Sequence, residues 1–122
     1  MTPVAFVHIT DAVRARAFYE DVLGLRLVDD SPFALVFESG GVTVRAAKVE
    51  RHTPLPGTVL GWEVPDVRAA VVGLAARGVA FTRYPGMPQD ELGIWSPGGG
   101  GVAWFTDPDG NVLSVSGPLP PT

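Results

Sequence analysis

The chain has 122 residues, 46 % of them hydrophobic, with a formal net charge of −4 and no cysteine. The missing thiols exclude cysteine catalysis, thiolate metal sites and a disulfide scaffold, and an acidic balance without any basic run disfavours nucleic acid as a partner. No apolar stretch reaches membrane-spanning length and Met1-Thr2-Pro3 does not open a signal peptide, so one soluble cytoplasmic domain with no membrane partner is expected.

Val4 to Ile9 is short and β-prone and reads as a strand. Thr10 or Asp11 caps the helix that follows by accepting a bond from a free first-turn N–H. Val13 to Leu23 carries helical spacing, and Gly24 stands just past its end. Leu25 to Val28 begins a second strand, Asp29-Asp30-Ser31-Pro32 turns, Phe33 to Glu38 is a third strand, and Val42 to Val49 is a fourth. Residues 50–57 are polar, carry Pro54 and Pro56, and read as a linker. The pattern then restarts. Thr58 to Val64 is a strand, Pro65-Asp66 a cap, Val67 to Arg77 a helix ended by Gly78, and Val79 to Arg83 a strand. After a long segment from Tyr84 to Gly101 come the strand Val102 to Thr106, the turn Asp107-Pro108-Asp109-Gly110 and the strand Asn111 to Ser116, with 117–122 as a tail. In that turn Pro108 presets φ, the aspartates can bond the local backbone, and Gly110 accepts φ > 0.

The two halves repeat one another. Asp11 in Ile9-Thr10-Asp11 matches Asp66 in Val64-Pro65-Asp66 at an offset of 55, Gly24 matches Gly78 at 54, and Gly41 matches Gly110 at 69, the extra length falling in the loop from Tyr84 to Gly101. Two β-α-β-β-β modules in tandem therefore make an α+β fold, with a curved mixed sheet around a cleft. Strand parity separates the faces. Ala5, Val7 and Ile9 face one way and Val4, Phe6 and His8 the other. Val42, Val44 and Ala46 oppose Thr43, Arg45 and Ala47, while Leu60, Trp62 and Val64 oppose Val59, Gly61 and Glu63. In the last strand Leu113 and Val115 oppose Val112, Ser114 and Ser116. The non-core faces thus collect His8, Thr43, Arg45, Glu63, Ser114 and Ser116. His8 and Glu63 are repeat-equivalent and are expected to face one another as an acid/base pair, with Arg45 holding an anion or stabilising an enolate. The alternative is an ion network that secures the fold, or a solvated surface.

Phe18-Tyr19-Glu20-Asp21-Val22-Leu23-Gly24-Leu25, Val64-Pro65-Asp66-Val67 and Asp107-Pro108-Asp109-Gly110-Asn111, in this order and spacing, resemble the vicinal-oxygen-chelate superfamily of glyoxalases, bleomycin-resistance proteins and extradiol dioxygenases. The resemblance spans nearly the whole chain. It implies one domain: module one 1–49, linker 50–57, module two 58–116 and the tail. It also implies a homodimer and a small-molecule ligand. Metal-dependent members chelate one divalent ion with His, Glu or Gln, and their pattern lands near Val4, Arg45, Val59 and Ser114, none a good ligand. No cofactor is therefore expected; a displaced metal site would have His8 and Glu63, with Asp90 or Glu91 as remote third ligands. His52 is expected in solvent with nothing beside it.

The long loop, with Asp90, Glu91, Gly93 and Trp95, reads as a lid whose Trp95 stacks with Trp104 on a ligand, or as a surface loop whose Ile94 and Trp95 plug a core edge. Residues 97–101 read as a hairpin turn, since no helix N-terminus or well-placed Lys follows to bind phosphate. The expected function is a metal-independent, bleomycin-resistance-like binder of an organic ligand, with Phe6, Thr43, Ser114, Trp95, Trp104, Asp90 and Glu91 lining the site. The alternatives are an isomerase, lyase or dioxygenase that uses His8, Glu63 and Arg45, or a module that serves only to dimerise.

Overall fold

The computed structural model describes residues 1–121, so Thr122, the end of the tail, lies outside the described residues. The chain divides into two compact units, one of residues 1–55 with 107–111 and one of 56–106 with 112–121. The fold is α+β, with one open mixed sheet in each unit.

In the first unit, β1 (Val4–Ile9) runs parallel to β4 (Val42–Lys48), and β3 (Ala34–Ser39) and β2 (Arg26–Asp30) add antiparallel strands in the order β1-β4-β3-β2. The expected face is the core face. Val7, Ile9, Leu35, Phe37, Val44 and Ala46 are all buried, each such side chain stabilising by roughly 1.5–3 kcal/mol if large. Asp11 starts α1 (Ala12–Arg16), its extended backbone (φ −137°, ψ 103°) letting the carboxylate accept from Val13 and Arg14 N. The helix expected as one α-helix over 13–23 changes hand-over: Ala17–Val22 is π-helical, with Leu23 N donating five residues back to Phe18 O. Apolar spacing distinguishes helix from strand but does not choose between four- and five-residue hydrogen bonds. Tyr19, in this widened turn, is fully buried against Phe37, ring centroids 5.6 Å apart. The expected turn at Asp29-Asp30 is displaced. β2 bulges between Leu27 and Asp29 and keeps both aspartates in the strand, where Asp30 reaches Lys48 Nζ at 2.7 Å; Ser31 Oγ then caps the turn from Phe33 N and Ala34 N.

The second unit repeats this scheme with one strand fewer. β5 (Thr58–Glu63) runs parallel to β7 (Val112–Pro118), and β6 (Gly100–Thr106) is antiparallel to β7. Asp66 caps α2 (Val67–Ala76) with nearly the backbone angles of Asp11 (φ −147°, ψ 101°) and accepts from Ala69 N. Gly24 and Gly78 both end their helices at positive φ, +76° and +96°, which only glycine adopts without strain. The expected strand over 79–83 is absent. Thr82 N donates to Trp104 O at 2.7 Å, but the Gln89 side chain takes Thr82 O and Tyr84 N, groups a ladder would otherwise pair. No helix among the described residues is long and apolar enough to cross a membrane.

Gly117 marks the tightest approach in this unit, because a Cβ there would run into the carbonyl oxygen of Val64. Gly117→Ala is expected to cost about 2–3 kcal/mol in urea denaturation, whereas Gly57→Ala, with nothing within 4 Å, should change stability by less than about 0.5 kcal/mol.

Candidate functional site

The open face of the first sheet is set by register. Phe6, Arg45 and Val36 form one row across β1, β4 and β3; His8, Ala47 and Ala34 form the next, and Val4, Thr43 and Glu38 the one on the other side. Phe6, His8 and Arg45 are exposed, as strand alternation required. The Arg45 guanidinium carbon lies 5.3 Å from the Phe6 ring centroid, a cation–π contact worth about 0.5–1 kcal/mol where water has access. Arg45 has no ion-pair partner among the described residues, whereas Arg26 meets Glu38 and Lys48 meets Asp30.

His52 is not alone, contrary to expectation. Its ring lies edge-on to His8, centroids 5.5 Å apart, and its Nε2 is 2.6 Å from Asn111 Oδ1. Asn111 Nδ2 already donates to His8 O at 2.9 Å and to Asp107 Oδ2 at 2.8 Å. Both amide hydrogens are spent, so Oδ1 accepts and His52 Nε2 must be the donor; the neutral ring then has a free acceptor at Nδ1. Behind this pair Asp107, almost fully buried, accepts four bonds. Tyr19 OH and Asn111 Nδ2 reach Oδ2, and the backbone N–H groups of Asp109 and Asn111 reach Oδ1. Asp109 in turn accepts from Thr10 N and Oγ1. Burial, then the charge and hydrogen bond of Asp107, raise the Tyr19 phenol above its ordinary pKa. His52 escaped sequence reasoning because its partner lies 59 positions away; the one available signal was the Asn that follows Gly110.

In the second unit, Gly61, Ser114 and Trp104 form one row and Glu63, Ser116 and Val102 the next. Glu63 is exposed and Ser114 buried, its Oγ occupying the space a side chain at Gly61 would need. Trp104 contacts Tyr84 edge-on at 5.4 Å and Trp95 at a tilt at 6.1 Å, and its Nε1 donates to Thr58 Oγ1. Ile94 is buried. Asp90 Oδ1 accepts from Leu92 N and Ile94 N, so this oxygen folds the loop; Glu91 is exposed, and its carbonyl accepts from Arg83. Trp95 and Val102 exchange both backbone bonds, which closes the expected hairpin turn, but only over 97–99, since Gly100 and Gly101 pair with β7 as the start of β6. An open hollow of about 390 Å³ lies along that turn, lined by Pro97, Gly98, Gly100, Gly101, Val102 and Gly117. The structure thus gathers Phe6, His8, Thr43 and Arg45 on one sheet face, and Glu63, Ser114, Trp104 and Trp95 about another.

The family model described as glyoxalase/bleomycin resistance protein/dioxygenase superfamily matches residues 4–115. The chain belongs to this superfamily. Among solved structures, this glyoxalase-like chain is similar to TnmS3, an antibiotic-binding protein from Streptomyces sp. CB03234 (25 % identity, TM-score 0.71, 97 % of this chain and 95 % of that one). It is also similar to a lactoylglutathione lyase from Agrobacterium tumefaciens (20 %, TM-score 0.71, 96 % and 92 %) and to a superfamily member from Sphaerobacter thermophilus DSM 20745 (24 %, TM-score 0.70, 96 % of each). No curated protein matches it. The resemblance carries the ligand positions of the metal-dependent members onto Val4, Arg45, Val59 and Ser114. Val4 and Val59 lack donor atoms, Arg45 is a cation, and Ser114 is a neutral hydroxyl. Among the described residues, no group of three or more His, Asp or Glu is placed to hold a metal ion.

Tyr19→Phe removes a 2.6 Å bond to a buried carboxylate and is expected to cost about 1–3 kcal/mol. The wild-type phenol keeps its proton while the unfolded one ionises above about pH 10, so the unfolded chain binds fewer protons there and stability falls as pH rises. Urea melts across that range should show a shallower alkaline loss in Tyr19→Phe. Long-range ¹H–¹⁵N spectra of the neutral His52 ring should show the proton on Nε2, and Asn111→Ala should mix the tautomers.

Proposed function

We propose that this superfamily member binds a small organic ligand on its polar, aromatic-lined sheet faces, without a metal, as a sequestering protein of the bleomycin-resistance type. The observation that carries the reading is Arg45. A guanidinium without an ion-pair partner among the described residues stands open on the sheet where the metal-dependent pattern wants a ligand, and its charge would oppose a divalent ion. The similarity to an antibiotic-binding protein supports the same reading. Phe6, Thr43 and His8 line the face of the first unit with Arg45; the second unit has its own aromatic and polar face with Trp104, Trp95, Ser114 and Glu63. The protein acts in this reading as a cytoplasmic homodimer with isologous pairing.

A second reading has one specific observation in its favour. His52, held by Asn111 with Nδ1 free, adjoins His8, and such an imidazole pair suits proton transfer. An isomerase, lyase or dioxygenase would then use His8 as acid, base or displaced metal ligand, and the similarity to a lactoylglutathione lyase is consistent with it.

Protein purified without chelator or affinity tag is expected to carry no stoichiometric metal, and Mn, Fe, Ni and Zn should leave its Tm unchanged; stoichiometric metal would transfer the case to the enzyme reading. Sequestration predicts that His8→Ala and Glu63→Ala each weaken ligand binding by about threefold to tenfold, with the ligand recovered unchanged by mass spectrometry. Loss of turnover with binding kept would establish catalysis instead.

A further inference from the structure

We propose, resting on the small-molecule reading above, that the open face of the first unit selects planar aromatic anions, an arene carboxylate being the simplest, with the ring against Phe6 and the acid group on Arg45. Phe6 stands mid-strand with 55 % of its surface open, an apolar area that folding has left in water. Arg45 is its partner in register on the neighbouring strand, and the guanidinium carbon is 5.3 Å from the Phe6 centroid. The basic side chains elsewhere on these strands are neutralised within the unit, Arg26 by Glu38 and Lys48 by Asp30. Arg45 is not, among the described residues.

The carboxylate in the row of Arg45 is Asp29 of β2, two strands away beyond Val36, and no ion pair joins it to Arg45 among the described residues. Arg45 is flanked in register by Phe6 and Val36, and the next row holds His8, Ala47 and Ala34. The carboxylate of the neighbouring row, Glu38, is turned to Arg26 at 3.6 Å and to Gly41 N at 3.0 Å. Arg45 is therefore the basic residue of this sheet without an ion pair among the described residues, on a chain whose net charge is −4. A guanidinium offers paired N–H groups to a carboxylate in one plane and stacks on aromatic faces, so ring and acid group are recognised together. In the next row Ala47 and Ala34 present only methyl groups beside His8, which leaves floor for a flat ring next to Arg45. An aromatic cation would meet the same ring but the wrong charge.

The test titrates the full chain with 2-naphthoate, 2-naphthylmethylammonium and sulfate, followed by NMR at the Phe6 and His8 rings, the Arg45 side-chain N–H and the Glu63 amide. Naphthoate should shift the first three saturably, and the ammonium should bind at least about tenfold more weakly. Sulfate should not saturate. Arg45→Gln should weaken naphthoate about tenfold or more while lowering the melting temperature by no more than about 5 °C, and Arg45→Lys, which keeps charge without the planar fork, should recover only part. Naphthoate binding that survives Arg45→Gln, or equal binding of the two arenes, overturns the proposal. Sulfate that competes as well as naphthoate overturns its aromatic half. Binding of the ammonium alone at His8 defeats the anion assignment and leaves the small-molecule reading standing, whereas silence of all four reporters with both arenes defeats both.

Discussion

The Asp107 carboxylate accepts four hydrogen bonds while almost wholly buried, and the first unit is arranged so that every one of them is made. A buried carboxylate short of donors costs far more than any single bond returns, so each donor is under constraint. The Asp109 and Asn111 N–H groups define the turn at 107–111. The Tyr19 hydroxyl requires that the π-helical segment present Tyr19 inward, 88 positions away in sequence. The Asn111 amide joins this centre to the carbonyl of His8 and to the His52 ring. The imidazole pair on the open face is thus positioned by the same hydrogen bonds that satisfy the core, and its chemistry and the stability of the unit are coupled.

The two modules use one scheme for different surfaces. Each has a capping Asp, a helix, a glycine stop and a parallel pair formed by its first and last strands. The corresponding rows differ in kind: Phe6, Arg45 and Val36 in one unit, Gly61, Ser114 and Trp104 in the other. The first row is an open ring with a charge upon it. In the second, the absent side chain of Gly61 makes room for Ser114 Oγ, and the apolar weight passes to a cluster of Tyr84, Trp95 and Trp104. A repeated scaffold whose open faces are free to diverge is suited to hosting many ligands, which is why membership of this superfamily leaves the ligand to be argued from side chains.

Where sequence reasoning succeeded, it relied on short-range rules. Asp11 and Asp66 cap helices because a carboxylate one residue before a helix reaches the free N–H groups of its first turn, and alternation assigned His8 and Arg45 to the open face because Cβ direction reverses at every strand residue. It failed where two local solutions were close in energy. Residues 79–83 have strand composition, yet Gln89 takes the backbone groups that pairing needed. The aspartates of β2 looked like turn residues, yet a bulge and Lys48 keep Asp30 in the strand.

By itself the sequence determined the α+β class, the two capped helices with their glycine stops, and the strand alternation that leaves His8, Arg45 and Glu63 exposed, since all of these depend on chain geometry over a few residues. Tertiary structure alone decided that His52 is a partner of Asn111 and a neighbour of His8, that Tyr19 bonds a buried Asp107 from a π-helical turn, and that Arg45 rests on Phe6 with no ion pair among the described residues. Those facts depend on which distant groups are left to satisfy one another once the core is closed, a choice that local spacing does not contain.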